Sequence, residues 1–109
     1  MPKQRLHPLP SAAFQILLSL ADGDRHGYGI MRQVAEQTSG RMRLGPGTLY
    51  GSIQALLDEA LIAEAGLHER RRYYRLTPAG RKLACSEAER LAGLLRVARA
   101  KRILRGDYV

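Results

Sequence analysis

The chain has 109 residues, 45% of them hydrophobic, with 18 lysines and arginines against 10 aspartates and glutamates for a formal charge of +8. That length suits one domain with one core, and the charge favours a polyanionic partner through neutralised phosphates and released counterions, although a merely solubilising surface carries the same signature. A lone cysteine, Cys85, excludes an internal disulfide framework; with no apolar run of membrane-spanning length and no apolar signal core in MPKQRLHPLP, the expectation is a soluble cytoplasmic protein.

Residues 1–10 carry three prolines and read as an extended arm. Ser11 reads as an N-cap, and Phe14, Leu17, Leu18 and Ala21 recur at helical spacing behind it. Asp22-Gly23-Asp24 stops that first helix. A second helix is predicted from Gly27 to Thr38, with Ile30, Met31, Val34 and Ala35 as its apolar stripe and Gly40 at a left-handed C′ position. Residues 41–44 are a connector or a short strand. A third helix begins at Pro46, where a missing N–H costs nothing, and buries Leu49, Ile53, Leu56, Leu57 and Ala60.

Leu61 to Ala65 reads as a strand, Gly66 to Glu69 as a turn and residues 70–76 as a second strand. Arg72, Tyr74 and Leu76 share one face of it; Arg71, Tyr73 and Arg75 share the other. Tyr74 and Leu76 point inward, so Arg71 and Arg75 face solvent or a phosphate, and Arg72 lies beyond the core edge. Thr77-Pro78 is an N-cap with proline at the first helical position. The helix it opens is predicted to run to about Arg105. Ala84, Ala88, Leu91, Leu95 and Ala98 recur in alternating steps of four and three, as in a coiled-coil seam. Either this helix folds back on its own domain or it pairs with a second copy, and its reach favours pairing. Cys85 on this helix reads as packing rather than as a reactive thiol.

The third helix turns an almost bare face outward. Opposite its apolar stripe lie Gly47, Gly51, Gln54, Ala55 and Asp58, with Thr48 and Tyr50 flanking. Glycine inside a helix costs about 1 kcal/mol relative to alanine, which is expensive for a plain solvent face. A face without side chains lets another surface come close, and a major groove just admits a helix. Gln54 can present a bidentate amide to adenine and Thr48 a hydroxyl or methyl to a base edge. Tyr50 bonds a phosphate or packs at the helix boundary. Arg70, Arg71, Arg72 and Arg75 cluster on the hairpin, within reach of phosphates or a narrow minor groove, or simply as a solvated edge. Arg25 and Tyr28, at the start of the second helix, are candidate backbone contacts. His26 reads as a cap or a core imidazole.

No catalytic, metal-binding or cofactor-binding constellation emerges. His7, His26 and His68 are far apart, with no cysteine or carboxylate at ligand spacing, and the chain has neither a P-loop nor GxGxxG. The expectation is a non-enzyme without metal or cofactor.

The segments HGYGI (26–30), GPGTLYGSIQALLDEALI (45–62) and RRRYYRLTPAGRKLA (70–84) together resemble the PadR family of bacterial transcriptional regulators. The resemblance implies a mainly α (α+β) winged helix-turn-helix with a two-stranded wing, and a homodimer built on a long C-terminal helix. It also implies repression and, in many members, a small aromatic or drug-like effector. The family's DNA-facing positions fall on Tyr28, Thr48 and Tyr50, with basic wing residues at Arg70 to Arg72. Where the family commonly has proline after GTLY, this chain has Gly51, and it has no tryptophan.

The expected organisation is therefore an arm (1–10), a winged DNA-binding domain (11–77) and a dimerisation helix (78–109). The expected function is a sequence-specific regulator, as a dimeric repressor on a palindromic operator in double-stranded DNA. The alternative is a winged module that binds an acidic protein partner.

Overall fold

The computed structural model describes residues 9–105; the arm expected over residues 1–10 lies almost wholly outside them. Four helices and three strands follow in the order α1 (Ser11–Ser19), β1 (Arg25–His26), α2 (Gly27–Gln37), α3 (Pro46–Asp58), β2 (Ile62–His68), β3 (Arg71–Leu76) and α4 (Pro78–Ala100). The sheet is antiparallel with strand order β1-β3-β2. The mainly α winged helix-turn-helix is thus present, with one strand more than the expected hairpin. The strand β1 is only two residues long, and no alternation pattern is readable over two residues.

The first three helices enclose a core of Ala13, Ile16, Leu17, Leu20, Ile30, Val34, Leu49, Ile53 and Leu56, closed by Leu44, Leu61, Ile62 and Tyr74. Such burial, at roughly 25 cal/mol per Å² of apolar surface, is the main force holding the helices in place. Polar ties then set their angles. Gln37 donates from Nε2 to Gln15 Oε1 at 2.8 Å, joining α2 to α1. The Thr38 hydroxyl donates to the Val34 carbonyl and accepts from Met42 N–H at 2.9 Å, shaping the turn between α2 and α3. The buried Ser19 hydroxyl donates to the Ile16 carbonyl, and among the described residues no buried side-chain polar atom lacks a partner.

Several element ends differ from the sequence expectation. Pro10, not Ser11, is the N-cap of α1: its ring fixes φ at −64°, it adopts an extended ψ of 152°, and its carbonyl accepts from Phe14 N–H. The left-handed residue that ends α2 is Ser39, at φ 53°, with Gly40 following at φ 80°. Ser39 N–H bonds the Glu36 carbonyl and Gly40 N–H bonds the Ala35 carbonyl, the paired closure of a Schellman motif. Ala60 closes α3 in the same way at φ 58°, and so is exposed rather than part of the buried face. Residues 41–44 form no strand.

The wing turn is Glu69-Arg70, both with positive φ, as a two-residue hairpin of the I′ kind requires. Gly66, assigned to the turn from sequence, instead sits at φ 105° in a bulge of β2, where Glu64 and Gly66 pair with consecutive residues Tyr74 and Tyr73. Helix α4 stops at Ala100 rather than near Arg105, closed by Arg102 at φ 62° and by Ile103 N–H on the Ala98 carbonyl.

Thr77 caps α4, its hydroxyl accepting from Gly80 N–H at 3.0 Å and donating to the Ala60 carbonyl. Gly80 is buried, and a side-chain carbon there would strike the backbone carbonyl of Leu61. With Leu83 and Ala84 packed on the core, the first turns of α4 are physically part of the winged unit. Beyond them the helix is largely uncovered: Leu94, Leu95 and Val97 are 52%, 38% and 49% exposed.

Candidate nucleic-acid interface

Helix α3 buries Leu49, Ile53 and Leu56 and turns Gly47, Thr48, Tyr50, Gly51, Gln54 and Asp58 to solvent. Side-chain carbons added at Gly45, Gly47 or Gly51 would meet nothing within 4 Å. The face is therefore open as well as bare. Gln54 is not idle: its Nε2 donates to Asp58 Oδ1 at 2.9 Å. That bond is exposed, so a base edge can take its place at small cost. The helix carries no lysine or arginine, and any phosphate contacts must come from the elements beside it.

Those elements are α2, its lead-in and the wing. Tyr28 is 56% exposed at the start of α2 and lies 6.0 Å from the Arg32 guanidinium, in cation–π range. Tyr50 reaches back across Gly27. Between α2 and the wing lies a cleft of about 410 Å³ lined by His26, Gly27, Tyr28, Tyr50, Tyr74 and the three arginines Arg70, Arg71 and Arg72, with no carboxylate among its walls. A second, more open groove brings Arg32 and Arg43 together beside Tyr28. Neither arginine was singled out from sequence. Both lie outside the apolar periodicity; the groove they share runs along α2 and the turn that follows it, and Glu36 also lines it.

The wing arginines have different local partners. Arg75 pairs with Asp24 through Nε (3.4 Å) and Nη2 (3.0 Å), an exposed ion pair that the strand alternation did not suggest. The sequence could not show this, because Asp24 precedes β1 and meets β3 only once the sheet forms. Arg72 pairs diagonally with Glu64 on β2 at 3.0 Å and lies outside the core. Arg25 donates from Nε to the Ser19 carbonyl at 2.6 Å and from Nη2 to Asp22, tying the end of α1 to the sheet. Among the described residues Arg71 meets no carboxylate; its Nη1 lies 2.9 Å from His26 Nε2. No hydrogen bond or ion pair within the described residues engages the Arg70 side chain.

His26 is the N-cap of α2, its Nδ1 accepting from Gly29 N–H at 3.0 Å. Its ring stands edge-on to Tyr73, 5.2 Å between centroids. Burial, and then the Arg71 charge, hold its pKa below the usual 6.5. Burial likewise pushes the Tyr74 phenol above its ordinary value.

Among the described residues no group of three or more histidines, cysteines and carboxylates is placed to hold a metal ion, and no helix is long and apolar enough to cross a membrane.

Three helices, a short three-stranded sheet and a basic hairpin beside an uncovered helix face define a winged helix-turn-helix protein. Residues 16–85 match the family model of the transcriptional regulator PadR-like family, and the chain belongs to that family. Its fold is similar to that of a transcriptional regulator from Clostridium thermocellum (29% identity, TM-score 0.71, covering 81% of this chain and 89% of that one). It is also similar to a PadR family transcription regulator from Clostridium difficile (24% identity, TM-score 0.74, 84% and 97% covered). An uncharacterised 37.1 kDa protein in transposon TN4556 of Streptomyces fradiae is 45% identical over 83 residues, which are 76% of this chain but 24% of that protein. The chain thus spans about a quarter of that relative's length.

Proposed function

We propose that this PadR-like regulator binds duplex DNA sequence-specifically as a homodimer and acts as a repressor. The observation that carries the reading is the conjunction of an α3 face left open at Gly47 and Gly51 with a cationic cleft beside it. Thr48 and Gln54 read base edges in the major groove across the approach that Gly47 and Gly51 leave open. Tyr28, Tyr50, Arg70, Arg71 and Arg72 hold the backbone, Arg72 by exchanging its exposed bond to Glu64 for a phosphate, and Arg32 and Arg43 add positive charge in the groove beside Tyr28. These contacts set register and orientation, while the bases set the site.

The partner copy follows from α4. At about 1.5 Å per residue its 23 residues extend roughly 35 Å. The winged unit covers only its start, leaving Leu91, Leu94, Leu95 and Ala98 for a second α4. A two-fold dimer places the two reading helices about one turn of DNA apart, roughly 34 Å, on a palindromic operator. Family resemblance adds a small aromatic effector as a candidate ligand of the dimer and a cytoplasmic location.

Selection of bound sequences from a random duplex pool tests this. The expected result is an enriched palindrome with half-sites one helical turn apart, bound more weakly as salt rises. Retention of acidic proteins with no preference among duplexes would overturn it in favour of a protein-interaction module.

A further inference from the structure

Two donors converge on one histidine ring. Gly29 N–H points at His26 Nδ1 from 3.0 Å, and the Arg71 guanidinium points at Nε2 from 2.9 Å. A neutral imidazole has one lone pair for hydrogen bonding and one N–H; a protonated one has no lone pair. The ring can therefore accept from the helix or from the wing, but not from both. If Nδ1 caps α2, Nε2 carries a hydrogen that meets the guanidinium donor to donor. The groups facing the ring do not resolve this. From β3 come Arg71 and Tyr73, whose ring stands nearly perpendicular to the imidazole and also to that of His68 on β2. Tyr28 of α2 and Tyr50 of α3, both exposed, line the same cleft, and the wing carboxylate Glu64 is paired with Arg72. An oxyanion between Nε2 and the guanidinium would turn two opposed donors into a convergent pair.

We infer that the cleft between the wing and the start of α2 is a phosphate seat, in which Nε2–H of His26 and the guanidinium of Arg71 donate to the same backbone phosphate of duplex DNA. The inference rests on the DNA-binding reading and adds to it a residue read from sequence only as a cap or core imidazole. When the phosphate enters, Arg71 moves off the ring, Nδ1 keeps the cap and Nε2–H turns outward as a donor. Arg70, unengaged at the rim, and the tyrosine hydroxyls close the seat. Arg71 then supplies charge, and His26 supplies a fixed direction without charge.

His26→Asn separates capping from donation. Asparagine is among the best N-caps, so its oxygen can replace Nδ1, and nothing replaces Nε2. The expected result is an unchanged melting temperature with duplex affinity lowered about fivefold to tenfold, the scale of one charge-assisted hydrogen bond. The salt slope should stay at the wild-type value in His26→Asn and fall by about one unit in Arg71→Gln. Imidazole nitrogen resonances of the wild-type complex should report the Nε2–H tautomer. Wild-type affinity in a folded His26→Asn variant overturns the seat, as does an Nδ1–H tautomer in the complex. If wild-type protein binds no duplex, the DNA reading itself fails. In that event inorganic phosphate decides the seat: saturable shifts at His26 that vanish in Arg71→Gln sustain an oxyanion site, and no shift removes it.

Discussion

Tyr50 lies across Gly27, so close that a side-chain carbon at position 27 would overlap the phenol oxygen. The two residues belong to different sequence motifs, HGYGI and GPGTLYG, and the contact is where those motifs meet in space. Gly27→Ala should displace the Tyr50 ring, which is half exposed and free to swing. Stability should change by no more than about 1 kcal/mol, while duplex affinity falls by on the order of tenfold through loss of one phosphate contact. Thermal melts and a binding isotherm on the same sample check both halves.

Gly51 has open space above it in the middle of α3. Gly51→Ala should therefore raise stability by up to about 1 kcal/mol, the helix-propensity difference. Gly51→Glu should fold equally well and lose operator binding, since a carboxylate would occupy the groove-facing surface and repel the backbone. Binding by a folded Gly51→Glu protein would count against insertion of this face.

Gly80 is the opposite case on another helix. A methyl there would strike the Leu61 backbone carbonyl, which cannot move without shifting the chain between α3 and β2, and would crowd the Leu76 side chain. Gly80→Ala should cost about 1–3 kcal/mol despite the better helix propensity of alanine. Urea denaturation gives the number directly.

The uncovered length of α4 makes its own prediction. Leu95 is 38% exposed and Leu91 half-buried in the single chain. Leu91→Glu with Leu95→Glu should leave the winged unit folded and convert a dimer to a monomer, with half-site affinity only. Sedimentation of wild type as a monomer at micromolar concentration would overturn the pairing.

His26 should make stability fall in mild acid. Its folded pKa lies below the unfolded 6.5, through burial first and the Arg71 charge second. Stability from the neutral ring is therefore complete above 6.5 and is lost as pH falls through the lower, folded value. Protonation also removes the Nδ1 acceptor from Gly29. Melting temperature should drop as pH falls below 6.5, and His26→Asn should flatten that part of the profile.

Much of the fold was legible because its signals are local. The apolar stripes of α2 and α3, proline at the first position of α3, and the Thr77-Pro78 cap each act within a few residues, and the structure uses them as read except at Ala60, which closes α3 instead of joining its buried face. The errors fall where local chemistry is degenerate. Serine, alanine, glutamate and arginine take left-handed positions at Ser39, Ala60, Glu69, Arg70 and Arg102, because helix and hairpin closure repays a strain that glycine would have avoided. A reading that waits for glycine misplaces each of these ends by a residue or more.

The candidate interface divides along the same line. Sequence alone determined that α3 is bare on one side and that a basic hairpin follows it, since both are properties of contiguous residues under a fixed periodicity. Only the tertiary structure decided which partner each arginine meets within the chain. Asp24 takes Arg75, Glu64 takes Arg72 and Ser19 takes Arg25, while Arg71 is left facing a ring that cannot accept it and still cap its helix. Charge pairing acts through space over a few ångströms, and those ångströms exist only after distant segments have been packed together by their apolar sides.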